Sequence, residues 1–99
     1  MISICATEVF TAWLHGVRDK QTRNAISARL VRLAGGNPSD VKSVGGGVWE
    51  LRIDFGPGYR VYYARRGLNL LLILCGGIKS TQTADISHAN RLAAEWKED

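Results

Sequence analysis

The residues best suited to chemistry crowd into the stretch from Val48 to Gln82. Glu50, Arg52 and Asp54 alternate with Trp49, Leu51, Ile53 and Phe55, and Gly56-Pro57-Gly58 leads into Tyr59, Arg60, Val61 and Tyr62. Alternation at period two puts Glu50, Arg52, Asp54, Arg60 and Tyr62 on one solvated face of a hairpin. Such a set of guanidinium groups, carboxylates and a phenol reads in two ways. It is either ordinary cross-strand pairing or a charged floor that grips a phosphodiester, with arginine steadying the negative charge that grows in a transition state.

A second cluster follows at Gly76-Gly77-Ile78-Lys79-Ser80-Thr81-Gln82. A nucleotide P-loop needs glycine directly before the lysine and another five residues earlier, where this chain has Ile78 and Ile73. That motif is excluded. What remains is a strand end, a glycine pair, a lysine and a helix start. It is either a capped helix with a solvated lysine or an anion site where backbone N–H groups add to the Lys79 charge. His15 and His88 fall on separate helices and do not converge. No serine or cysteine has an obvious base. With two Cys and two His, no zinc-ligand spacing can be assembled, and no metal or cofactor is expected.

The elements that must position these groups follow from periodicity and caps. Ile2 to Cys5 is an opening strand. Thr7 caps a helix whose apolar stripe is Phe10, Trp13, Leu14 and Val17, and Asp19 caps a second that runs to about Ala34 with Ala25, Ile26, Leu30 and Leu33 inward. Gly35-Gly36 and Asn37-Pro38 stop it. Asp40 to Gly47 reads as a loop or ragged strand. Three strands follow. Gly56-Pro57-Gly58 turns the first hairpin, which sets Phe55 opposite Tyr59, Ile53 opposite Val61, Leu51 opposite Tyr63, Asp54 opposite Arg60 and Arg52 opposite Tyr62. A second hairpin turns near Arg66-Gly67.

Leu70 to Leu74 is apolar on both faces and therefore central. With the opening strand on its free side, the spatial order is second, third, fourth, first, and the helix pair covers the face of Trp49 and Leu51. Ser80 or Thr81 caps a last helix with Ile86, Ala89, Ala93 and Trp96 on one stripe. It ends in Glu95, Glu98 and Asp99, which oppose the helix dipole. The expectation is an α+β domain of 99 residues: strand, helix pair, a small, mainly antiparallel four-stranded sheet and a C-terminal helix.

The totals fit a folded chain with an anionic partner. Apolar residues make up 45%, which argues against disorder, and thirteen basic residues face nine acidic ones for a net charge of +4. Arginine outnumbers lysine nine to four, favouring planar contacts with phosphate or carboxylate. Cys5 and Cys75 lie in apolar runs and read as buried reduced thiols. The opening M-I-S-I-C-A-T-E has no basic stretch before an apolar core, and the longest apolar run, Leu70 to Cys75, is far too short to span a bilayer. A soluble, cytoplasmic protein is expected.

The run V-W-E-L-R-I-D-F-G-P-G-Y-R-V-Y-Y followed by L-C-G-G-I-K-S-T-Q resembles the RelE/ParE superfamily of bacterial toxins. Within it, the likeness is to the phage-derived "addiction module killer" group related to HigB, and it covers nearly the whole chain. Many members carry an acidic residue before the lysine, where this chain has Ile78. The resemblance implies a RelE-like fold and a toxin of a type II toxin–antitoxin module. Such a toxin cuts mRNA on the translating ribosome without a metal and is silenced by a cognate helix-turn-helix antitoxin in a hetero-oligomer.

Carried onto this sequence, Arg60 matches the arginine of the G-Y-R segment and implies a phosphate stabiliser. Lys79 implies the same role or a proton donor. Glu50 and Arg52 match the position of a base or orienting group, Glu50 being the best base candidate. Tyr62, Ser80 and Gln82 are expected to contact substrate, Gln82 through a base or ribose. Two other readings stay open: a ParE-like poison of DNA gyrase on the same scaffold, and a non-catalytic nucleic-acid-binding module.

Overall fold

The protein's structure, a computed structural model, describes residues 2–37 and 40–96. The stop assigned to Pro38 and the acidic end at Glu98 and Asp99 lie outside these residues. Thr7 joins the strand β1 (Ser3–Ala6) to the helix α1 (Glu8–Gly16). Its Oγ1 accepts the Phe10 N–H at 3.1 Å and donates to the Leu74 carbonyl at 2.5 Å, so one hydroxyl caps the helix and docks it on the sheet. Asp19 starts α2 (Lys20–Ala34) by accepting from Thr22 Oγ1 at 2.8 Å and the Gln21 N–H at 3.2 Å. These hydrogen bonds, that from Thr22 first, hold its carboxyl below the usual aspartate value.

Four strands follow: β2 (Val41–Gly45), β3 (Val48–Ile53), β4 (Tyr59–Arg66) and β5 (Leu70–Ile78). A 3-10 turn (Lys79–Thr81) then leads into α3 (Gln82–Glu95). The sheet has the order β1-β5-β4-β3-β2, with β1 parallel to β5 and the other pairs antiparallel. The expected order of four strands holds, and β5 is interior as its two apolar faces require. The sheet nevertheless has five strands, because the segment taken for a loop or ragged strand pairs onto β3 as an edge. Gly45, Gly46 and Gly47 adopt φ of 92°, 65° and 80°, which lets the chain reverse at once between β2 and β3. A register shift between Ser43 and Gly45 leaves β2 with no period-two signature.

The first hairpin is also registered differently from expectation. Ile53 pairs with Tyr59, Arg52 with Arg60, Leu51 with Val61 and Glu50 with Tyr62, two residues away from the expected pairing. The turn spends five residues, Asp54 to Gly58, because the Phe55 N–H bonds back to the Ile53 carbonyl at 3.1 Å and the Gly58 N–H to Phe55 at 3.0 Å. A slip of two keeps each side chain on its face, so only the partners change.

One face of the sheet, with Leu51, Ile53, Val61, Tyr63, Leu71 and Ile73, packs against Phe10 of α1 and Ile26, Leu30 and Leu33 of α2. The other, with Val48, Tyr62, Ala64, Leu72, Leu74 and Cys75, packs against Ala89 and Ala93 of α3. A bulge in β5 opposite Tyr62 and Tyr63 turns both Leu74 and Cys75 to the α3 side. Burial pushes the Cys75 thiol up to about 12. Both cysteines are free.

The face expected to be solvated is therefore covered: Glu50 and Tyr62 are 0% exposed and Arg60 is 5% exposed. Conversely, Trp49 and Phe55, expected on the helix-covered face, stay 38% and 42% exposed at its margins. Among the described residues no helix is long and apolar enough to cross a membrane.

Candidate functional site

The polar residues of the α3 face form two adjoining cross-strand rows. The inner row runs Lys42, Glu50, Tyr62, Cys75, and the outer one Arg52, Arg60, Gly77. In the inner row Glu50 Oε2 accepts from Tyr62 OH at 3.0 Å and from Gln82 Nε2 at 2.7 Å. Its other oxygen has no hydrogen-bond partner and lies 3.9 Å from Arg52 Nε, which also faces Asp40 at 3.4 Å. Burial first, then the Glu50 charge, pushes the Tyr62 phenol well above the usual tyrosine value, so it acts as a donor.

A general base must come within hydrogen-bond reach of the proton it takes. Glu50 has no exposed surface, and its Oε2 already serves two donors. Its contacts are internal. It ties the first residue of α3 to β3 and holds Arg52 and Tyr62 in line.

Arg60 leads the outer row. Its side chain is 6% exposed, and NH1 donates to the Tyr59 carbonyl at 3.1 Å and to Asp54 Oδ1 at 3.3 Å. Asp54 is 71% exposed, so the pair opens to solvent. Arg60 Nε is buried with no hydrogen-bond partner. The direct opposition of Arg52 and Arg60 sets like charges side by side, and the nearby carboxylates of Asp40, Glu50 and Asp54 offset it.

Lys79 is exposed, and its backbone N–H is anchored to the Gly58 carbonyl at 2.8 Å. A Cβ placed on Gly58, whose φ is 78°, would lie 3.2 Å from Lys79 Cβ and 3.6 Å from Arg60 NH1. The guanidinium of Arg60 and the root of the Lys79 side chain thus meet over a residue that must lack a side chain. Beside them lies an open groove of about 250 Å3 lined by Asp54, Phe55, Gly56, Pro57, Gly58 and Lys79.

Of the residues singled out in the sequence, Glu50, Arg52, Tyr62 and Gln82 come together in the inner network, Lys79 lines the groove, and Arg60 lies behind Gly58 beside it. Ser80 is exposed next to Lys79. Of the two readings of this segment, a capped helix or an anion site, the second loses two backbone donors. The Lys79 N–H is taken by Gly58, the Ile78 N–H by Thr81 Oγ1 at 3.3 Å, and a 3-10 turn intervenes. Neither Ser80 nor Thr81 caps α3 through its side chain. Thr81 Oγ1 instead meets Asp85 Oδ2 at 2.5 Å.

Asp85 is the residue the sequence reading missed. Its carboxylate occupies the space over Gly77 where a Cβ would clash. The i, i+4 spacing from Thr81, beside a glycine pair, is the signal that points to it. His15 and His88 lie on α1 and α3, against opposite faces of the sheet, and do not converge.

The sequence profile of the family described as Phage derived protein Gp49-like matches residues 12–97. An uncharacterized protein of Haemophilus influenzae is 47% identical over 94 residues, covering 95% of each chain.

Proposed function

From the premise that this chain belongs to the family of Gp49-like phage-derived proteins, we propose that it is the toxin of a type II toxin–antitoxin module and cuts mRNA on the translating ribosome. On this reading it is a RelE/ParE-type, HigB-like endoribonuclease acting in the cytoplasm, and a cognate antitoxin neutralises it. The observation that carries the reading is the meeting of Arg60 and Lys79 over Gly58, with Arg60 held by a carboxylate that is itself exposed. Only the Asp54 side of this pair is exposed, so an incoming phosphate that takes over the Arg60 charge can displace Asp54 into solvent without leaving the guanidinium unpaired. Asp54 keeps the buried guanidinium paired until then.

In the reaction the ribose 2′-oxygen attacks the adjacent phosphorus and the bond to the 5′-oxygen breaks. The products are a 2′,3′-cyclic phosphate and a free 5′-hydroxyl. On this reading Arg60 and Lys79 steady the extra negative charge on the pentavalent phosphorus, and Lys79 hands a proton to the departing 5′-oxygen. Glu50 is shielded from the groove, so the 2′-proton leaves to solvent, and in-line geometry supplied by the ribosome carries much of the rate.

The test is inducible expression with protein and DNA synthesis labelled separately, and cleavage mapped by primer extension. Wild type should stop protein synthesis first. Arg60→Ala and Lys79→Ala should each lower the cutting rate by about 100- to 1000-fold while keeping a cooperative melt. Growth arrest by both variants at wild-type protein levels would refute the assignment. SOS induction with translation intact would point to gyrase instead, and harmless expression to a binding module without catalysis.

A further inference from the structure

The exposed ring of Phe55 has no part in the charge chemistry above. It is 42% exposed at the tip of the β3–β4 hairpin and lines the same groove as Lys79. A single exposed apolar residue means little by itself. This one is the outer end of a series of rings that runs into the core. Phe55 lies 5.6 Å from Tyr59, Tyr59 lies 6.4 Å from Trp13, and Trp13 lies 5.8 Å from Phe10, which is 3% exposed. The tip is also fixed by the bond from the Lys79 N–H to Gly58. The ring is thus held in place at a groove whose other wall carries a cation.

We propose that Phe55 is the stacking platform for the nucleobase next to the phosphate held by Arg60 and Lys79, making the hairpin tip a nucleotide subsite for single-stranded RNA. The inference rests on the reading of Arg60 and Lys79 as the phosphate site. A ligand that offers a flat π face and a negative charge a few ångströms apart matches an aromatic ring that shares a groove with Lys79, with the Arg60 guanidinium behind Gly58, and a nucleotide of unpaired RNA has both. Every base presents a π face, so this contact positions the strand while tolerating different sequences.

The experiment is a cell-free translation reaction programmed with a reporter mRNA, with cleavage rates and sites read by primer extension. Phe55→Leu keeps apolar bulk and loses the ring, and should slow cutting by about tenfold or more. Phe55→Trp keeps a ring and should restore the rate to within about threefold of wild type. A merely structural role would not separate the two, and thermal melts of both variants check that the fold is intact.

Equal rates for wild type and Phe55→Leu, with Arg60→Ala inactive, would overturn the subsite and leave the phosphate site standing. An active Arg60→Ala would remove both. Equal loss in Phe55→Leu and Phe55→Trp would also reject stacking. Unchanged cutting with weaker neutralisation by the antitoxin would reassign Phe55 to a protein contact and overturn the proposal.

Discussion

Substituting Glu50 separates an orienting role from a catalytic one. Its side chain is 0% exposed and accepts from Tyr62 OH and Gln82 Nε2. Alanine there strands two donors beneath α3, each costing about 1–3 kcal/mol, and leaves Arg52 short of a counter-charge. The total should fall at about 3–5 kcal/mol, the usual penalty for breaking a buried polar pair from one side. For a domain of this size that lowers the melting temperature by about 12 °C or more. Glu50→Gln keeps the volume and one acceptor oxygen, and should cost about 1–2 kcal/mol.

The assay pairs urea unfolding with mRNA cleavage at matched folded concentration. If Glu50 orients, the Gln variant stays active to within about tenfold, since Gln82 and Tyr62 keep an acceptor oxygen and Arg52 still faces Asp40. If Glu50 is a base, that variant loses about 100- to 10,000-fold with its stability nearly intact. A stable but inactive Gln variant would refute the orienting role, and an Ala variant that melts within about 2 °C of wild type would refute the buried network itself.

Two further outcomes follow from the charges. Asp54→Asn frees Arg60 from an exposed competitor and should tighten binding of a short single-stranded RNA by up to about fivefold at low salt, measured by fluorescence anisotropy, with no gain when Arg60 is alanine. Cys75 and Tyr62 both have pKa values raised by burial, Cys75 from 9.0 to about 12 and Tyr62 from 10.0 upward, so the unfolded chain gives up these protons first. Their stability contribution is complete below pH 9.0 and is lost as pH climbs towards about 12. Urea midpoints should fall over that window, less steeply in Cys75→Ser.

Local chemistry is what the sequence displays most plainly. Thr7 and Asp19 announce α1 and α2 because a cap acts on residues two or three positions away. The strands β3, β4 and β5 declare themselves by alternation and by apolar content. The strand β2 does not, since edge pairing by backbone groups leaves no trace in the side chains of Val-Lys-Ser-Val-Gly. Register was misread for a related reason. Pro57 and its flanking glycines mark a turn but do not count its residues, and two backbone bonds lengthen it to five. Assembly of the candidate residues was legible, because period two puts Glu50, Arg52, Arg60 and Tyr62 on one side in both the expected register and the observed one, which differ by two.

Their burial was not read, although a signal for it existed. A central β5 that is apolar on both faces requires cover on both, and the apolar stripe of α3 supplies the second cover. That cover also determines which charges are free to act. The helix α3 begins at Gln82, and Gln82 itself reaches back to Glu50, so the row containing Glu50 and Tyr62 is sealed. The next row, Arg52, Arg60 and Gly77, lies at the margin of the helix. There Gly77 makes room for Asp85 and Gly58 makes room for Lys79 and Arg60. The helix start thus separates a sealed row from a row whose Arg60 pairs with the exposed Asp54, and the 3-10 turn at Lys79–Thr81 precedes that start, so on the reading proposed above only the outer row is open to phosphate.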